Sequence, residues 1–252
     1  MNRLESIEKI RLTMKEGQSS IGSWIQLPDC SVAEIMGQAG YDWVAVDMEH
    51  GSISLSQLPN IFRALEIGNT LPLVRLANPQ KLECKQALDA GAGGVILPMI
   101  ESADQLKTLI DACCWPPKGS RGVGFSRANL FGKKFNEYLL EAQKPLIVAM
   151  IESLNAVENL EQILNLDGLD AILIGPYDLS ASMGITSKFN NPNFIETMNK
   201  ILAMSKSYQV PCGVHVVDAS PEDLDQKIQE GYTFIPYSID AVFLHKSVDR
   251  PF

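Results

Sequence analysis

The segment Leu73-Val74-Arg75-Leu76 sets a guanidinium inside an apolar run. A charge there must meet an anion, either a structural carboxylate or charge that develops during a reaction. Upstream, the apolar Trp43-Val44-Ala45-Val46 runs into Asp47-Met48-Glu49-His50-Gly51. His50 is one of three histidines, and a base that titrates near neutrality just past a buried strand is a candidate for abstracting a proton. A packed or surface role is the plainer alternative. Asp47 is placed to orient the His50 ring. Further on, Glu152 follows the apolar run that ends at Ile151, and Asp178 follows Ala171-Ile172-Leu173-Ile174-Gly175-Pro176-Tyr177. Two carboxylates with no Cys or His between them suit a hard divalent ion, Mg²⁺, Mn²⁺ or Co²⁺, which keeps waters that a chelating substrate can displace. The competing reading is that each acid merely caps the helix after its strand.

These groups act together only if the fold gathers strand ends at one place. Leu4, Ile7, Ile10 and Met14 recur at helical spacing and Gly17 stops the helix. A strand is expected at Ile21–Gln26. The next helix is expected to be capped by Ser31, with Glu34 completing a capping box, and to run to Ala39. Strands follow at 43–47, 72–76, 95–97, 145–151, 171–174, 212–217 and 232–235. Helices intervene over 55–67, 79–90, 103–112, around 157–164, over 194–208 and 221–229, and the chain closes on a helix through about His245. Eight strand-helix alternations over 252 residues give the count and size of a single (β/α)8 TIM barrel preceded by a helix. A doubly wound open sheet is the runner-up, disfavoured because no Gly-x-Gly-x-x-Gly follows the first strand. Residues 115–127, rich in Gly and Pro, are expected to form a loop long enough to act as a lid, and Arg121 could approach a substrate carboxylate from it. His215 reads as a packed core histidine and His245 as solvated.

The net charge of −9 disfavours a nucleic-acid groove or an anionic membrane surface as partner. The charged N-terminus lacks the apolar core of a signal peptide, and no run approaches spanning length, which points to a soluble, cytoplasmic protein. Five cysteines, with no Cys-x-x-Cys and with Cys113 and Cys114 adjacent, argue against a disulfide framework or a zinc knot.

The segments Gly40-Tyr-Asp-Trp-Val-Ala-Val-Asp-Met-Glu-His50-Gly, Pro72-Leu-Val-Arg75, Leu88-Asp89-Ala-Gly-Ala-Gly-Gly-Val-Ile-Leu-Pro98, Pro116-Pro-Lys-Gly-Ser-Arg-Gly-Val-Gly124, Ile151-Glu152 and Gly175-Pro-Tyr-Asp178-Leu-Ser together resemble the HpcH/HpaI-type class II pyruvate aldolases. The resemblance implies a TIM barrel in which Glu152 and Asp178 hold a divalent metal that chelates pyruvate. It makes His50 the base with Asp47 beside it, and Arg75 the group that stabilises enolate and oxyanion. Gly175, Pro176, Tyr177 and Asp178 would bind the pyruvate carboxylate through backbone N–H groups. Asp89 precedes the fourth strand and so lies at the far end of its own barrel; the resemblance implies that it reaches the base of a neighbouring subunit, within a hexamer of three dimers that exchange their last helix. One departure stands out: the family commonly has Gln two residues before the metal-binding Glu, touching the substrate ketone, and here that residue is Met150.

The expected activity is reversible cleavage of a 4-hydroxy-2-oxo acid to pyruvate and an aldehyde. The enzymatic rivals are oxaloacetate decarboxylation or cleavage of another C–C bond through the same enolate. From a different class, the loss of the Gln donor at Met150 is compatible with a barrel that binds 2-oxo acids without turnover.

Overall fold

The computed structural model describes residues 1–248. In chain order it contains α1 (Arg3–Lys15), β1 (Ser20–Ile25), α2 (Cys30–Gly37), β2 (Trp43–Asp47), α3 (Leu58–Ile67), β3 (Leu71–Arg75), α4 (Lys81–Asp89), β4 (Gly94–Leu97), α5 (Ala103–Cys113), α6 (Phe135–Ala142), β5 (Leu146–Ile151), α7 (Leu154–Glu158), α8 (Leu160–Leu164), β6 (Ala171–Ile174), α9 (Pro176–Ser182), α10 (Pro192–Ser207), β7 (Cys212–Val214), α11 (Pro221–Glu230), β8 (Phe234–Ile239) and α12 (Asp240–Ser247). The strands pair in parallel, each with the next, and β8 pairs with β1 to close the barrel. Closure removes the open-sheet alternative.

Side chains alternate across a strand, so every second residue points into the barrel. Trp43 and Ala45, Leu71 and Leu73, and Leu146, Val148 and Met150 form the inner core with Trp24, Ile96, Leu173 and Phe234. The other parity, including Val44, Val46, Val74, Ile147 and Ile172, packs under the helices. Continuing the inner stripes by one step gives Asp47 after Ala45, Arg75 after Leu73 and Glu152 after Met150. The strand period that fills the barrel with apolar side chains thus delivers charged ones at its C-terminal rim.

The opposite end is stoppered by α1. Its Ile7, Ile10 and Met14 are buried with the inner core, worth about 2 kcal/mol each at ordinary transfer energies. Beside them Trp43 stacks on Phe234, centroids 4.2 Å apart, and only Gly22 leaves room for the indole. Arg3 binds Glu141, Glu66 and the Ala128 carbonyl, Arg127 binds Glu66 and the Ala90 carbonyl, and Arg11 binds Asp170 and the Pro145 carbonyl.

Two expectations are corrected. Helix α2 is capped by Asp29, not Ser31: the Asp29 carboxylate accepts from the N–H groups of Ser31 and Val32 at 2.7 and 3.2 Å, so the helix starts two residues earlier and Glu34 completes no box. Strand β8 runs on to Ile239 rather than stopping at 235. Pro236, which fits poorly inside a sheet, is tolerated where β1 and β8 slip register between Gly22 and Trp24. Beyond the expected loop, where no element was expected, Arg127–Asn129 form a 3₁₀ turn and α6 packs Tyr138 and Ala142 against Trp115. Among the described residues no helix is long and apolar enough to cross a membrane.

Candidate active site

Arg75 leaves the end of β3 pointing inward and meets Asp47 at the end of β2. Its Nε donates to Oδ1 at 2.8 Å and its Nη2 to Oδ2 at 2.7 Å. The sequence asked which anion Arg75 meets, and the structural carboxylate is the answer. Asp47 is fully buried and also accepts from Gln26 Nε2 at 2.8 Å and from the N–H groups of Glu49 and His50 at 3.1 and 3.2 Å. Burial alone would raise its pKa, but the Arg75 fork outweighs it and holds the carboxyl below the usual range. The expectation that Asp47 orients the His50 ring is corrected: its oxygens are occupied by Arg75, Gln26 and main-chain N–H groups, and what it fixes is the backbone of the turn carrying His50. His50 itself stands exposed at the mouth of the cavity.

Glu152 is buried, and the helix after it is capped by Ser153, so helix capping does not explain the acid. Its Oε2 accepts from the Met99 N–H at 2.9 Å. Met99 reaches that position with φ +51°, a strained conformation for a residue with a side chain, costing on the order of 1 kcal/mol. Burial pushes the Glu152 carboxyl up to about 7 against the pull of that N–H, and the charges of Glu49 and Asp178 push the same way. Glu49 is likewise raised by burial, with Asp47 and Asp178 adding to it. Its Oε2 lies 3.1 Å from Arg75 Nη1 without hydrogen-bond alignment and is buried with no donor.

Asp178 sits in the first turn of α9, where no side chain caps the helix start at Gly175. Gly175 is required: a Cβ there would stand 2.6 Å from Glu152 Oε1. Strands β5 and β6 thereby bring Glu152, Asp178, Gly175, Pro176, Tyr177 and Met150 to one cavity of about 240 Å³ together with Arg75 and His50. Met150 Sδ lies 4.0 Å from Arg75 Nη1.

Glu152 and Asp178, two acids in one cavity whose charges repel, fit a cation. Among the described residues no three His, Cys, Asp or Glu side chains form a complete ligand set. Glu152 and Asp178 would therefore supply two ligands and leave the remaining positions to water or substrate, as hard divalent ions accept.

Asp89 does not join this group. It ends α4 at the N-terminal end of the barrel, 4.0 Å from Arg121 and 3.8 Å from Lys85, with its pKa raised by burial. The expected lid is corrected as well. Residues 115–127 follow a helix and precede β5, which puts them at the end opposite their own cavity. Arg121 is buried there on Trp115 and Tyr138 and cannot reach substrate in its own chain.

Sequence reasoning missed Trp24, Gln26 and Glu49; His215 is packed against Trp24 as expected, and it also lines the cavity, which was not expected. The Arg75 guanidinium lies 4.7 Å from the centroid of the Trp24 ring. The available signal was parity: Trp24 and Gln26 lie on one stripe of the first strand. A larger hollow of about 750 Å³ lies at the closed end between α1 and α10, where Arg11 and Asp170 neutralise each other at 2.7 Å.

Residues 20–246 match the family model described as HpcH/HpaI aldolase/citrate lyase. The chain is 30% identical over 240 residues to a hydroxypyruvate/pyruvate aldolase of Roseobacter denitrificans, covering 94% of this chain and 93% of the relative. It is 33% identical to a 4-hydroxy-2-oxovalerate aldolase of Novosphingobium aromaticivorans, covering 93% and 89%. A crystal structure of an HpcH/HpaI aldolase/citrate lyase family protein from Burkholderia cenocepacia superposes with a TM-score of 0.89 at 30% identity, covering 95% of each chain.

Proposed function

This chain belongs to the HpcH/HpaI aldolase/citrate lyase family, and from that premise we propose that it is a carbon–carbon lyase, a class II aldolase that reversibly cleaves a 4-hydroxy-2-oxo acid to pyruvate and an aldehyde. The observation that carries the reading is the pairing in one small cavity of the acids Glu152 and Asp178 with the cation Arg75. Glu152 and Asp178 would hold a divalent ion, Mg²⁺, Mn²⁺ or Co²⁺, whose charge lowers the cost of making a carbanion beside a ketone.

The chain's own residues do the rest. Substrate carboxylate suits the first turn of α9, where the N–H groups of Tyr177 and Asp178 have no side-chain cap. Arg75 has five N–H donors and gives two to Asp47, leaving others for oxygen charge that grows as the C3–C4 bond breaks. His50, at the mouth, takes the proton of the 4-hydroxyl, the bond electrons pass to C3, and a proton returned to C3 completes pyruvate. Met150 replaces an amide donor with a thioether, so in this chain the ketone loses one neutral hydrogen bond and Arg75 is the donor nearest that position.

In this reading the enzyme is one barrel domain working in the cytoplasm with five free thiols, on small molecules and not on nucleic acid or membrane. It is a homo-oligomer, a hexamer of three dimers exchanging the last helix, in which Asp89 serves the His50 of a neighbour. Exposed Val123, Phe125, Leu130 and Phe131, on the segment that contains Arg121, support such contacts.

The test is exchange of the pyruvate methyl protons in D₂O, followed by NMR with Mg²⁺ or Mn²⁺ present. Exchange that EDTA abolishes is expected; its absence, or indifference to EDTA, overturns the proposal.

A further inference from the structure

One wall of the cavity takes no part in holding acids or base. It is formed by Trp24 on β1, His215 just past β7, and Ile239 at the end of β8. Apolar side chains alone would suffice to receive a methyl group. His215 is polar, and its hydrogen bonding is only half used. Its Nε2 lies 3.3 Å from the Ser238 carbonyl oxygen, and a carbonyl only accepts, so Nε2 carries the proton and Nδ1 keeps a lone pair. The carbonyl is fixed: Ser238 sits at φ +55° where β8 slips register against β1, and its own N–H is tied to Val216 at 2.7 Å. Trp24 meets the imidazole edge-on at 5.9 Å and restrains it further.

Nδ1 has no hydrogen-bond partner among the described residues, yet it is not among the atoms sealed from solvent. Burial holds the ring's pKa at about 4, so the imidazole is neutral at physiological pH and offers an acceptor rather than a charge. An unused acceptor that faces the cavity matches a hydroxyl, which can donate to it.

We propose that His215 is a specificity-determining residue whose Nδ1 accepts a hydrogen bond from a hydroxyl carried by the substrate close to the reacting carbons, so that hydroxylated substrates are preferred over their deoxy counterparts. The proposal rests on the aldolase reading. The hydroxyl can belong to the 2-oxo acid or to the aldehyde, and the two sources are separable.

The experiment measures kcat/KM with Mn²⁺ in two arms: hydroxypyruvate against pyruvate with one aldehyde, and glycolaldehyde against acetaldehyde with one 2-oxo acid. The native enzyme is expected to favour the hydroxylated partner in one arm by about tenfold or more, as one directed hydrogen bond allows. His215→Leu is expected to lose that preference, and His215→Asn, whose Oδ1 can stand near the place of Nδ1, to retain most of it. Ratios near one in both arms, or ratios that His215→Leu leaves unchanged, overturn the proposal. In protein labelled with ¹⁵N-histidine, the unprotonated Nδ1 resonance of His215 should move on adding the favoured hydroxylated compound and stay in place with its deoxy partner; equal responses overturn it. That titration needs no turnover. Absence of reaction with every pair defeats the aldolase reading, while the resonance still decides His215, also where the leucine variant does not fold.

Discussion

Arg75 and Asp47 form a two-bonded fork, 2.8 and 2.7 Å, and the carboxylate of that fork also fixes the N–H of His50. One ion pair thus ties the end of β3 to the turn that carries the proposed base.

Asp47→Ala should leave the guanidinium buried without its partner, and the loss expected for breaking such a pair is about 3 kcal/mol. Arg75→Lys keeps the charge but loses the fork. Urea unfolding should show the stability loss for Asp47→Ala, and methyl exchange should fall in both variants by about 100-fold or more. A D47A protein that unfolds at the native urea midpoint would show that the fork contributes nothing to the fold.

The Glu152 carboxyl predicts how the metal-free protein answers to pH. Its pKa rises from 4.5 to about 7 on folding, so folded protein keeps a proton that unfolded chains have already released. Stability from this group is present below about pH 4.5 and is lost as pH climbs toward 7, by about 3 kcal/mol for the shift of 7 − 4.5. In EDTA, Glu152→Gln should match the native protein near pH 4.5 and exceed it at pH 8 by roughly that amount. Mn²⁺ should stabilise only the native protein. A gap that does not change with pH contradicts the assignment.

A methyl group at Gly175 would stand 2.6 Å from Glu152 Oε1. Gly175→Ala should therefore displace the carboxylate and weaken Mn²⁺ binding by about tenfold or more, as loss of ligand orientation does. Calorimetric titration reads this directly; native affinity in the alanine variant would show that Glu152 is no ligand.

Asp89 lies at the end of the barrel opposite His50 of its own chain. Asp89→Asn and His50→Ala are each expected to be inactive alone. Co-refolding the two should restore a fraction of native activity, because some mixed interfaces then join an intact Asp89 to an intact His50. No recovery on mixing, with hetero-oligomers verified by mass, removes the proposed exchange between subunits.

The barrel was legible because its strands are buried on both faces and read as apolar runs such as Ala171–Ile174 between turn residues. Arg75 and Glu152 stood out because charge in or beside such a run is costly. His215 did not, since a neutral imidazole is cheap to bury and sequence gives no sign of whether both nitrogens are satisfied. The supposed lid failed for a topological reason: composition marked 115–127 as loop, but its place between α5 and β5 sends it to the closed end. Helix α6 escaped notice because only Tyr138 and Ala142 mark its buried face. The Asp29 cap was hidden by Ser31, which has the right side chain two residues too late.

Arg3, Arg11 and Arg127 rivet the plugged pole through carboxylates and main-chain oxygens, and none of them lines the cavity. Mechanical integrity is concentrated at one pole of the molecule and selectivity at the other. Residues such as Met150, His215 and Ile239 can then be exchanged over generations without loosening a rivet, so a lineage built on this scaffold can change its diet while its chains go on folding as before.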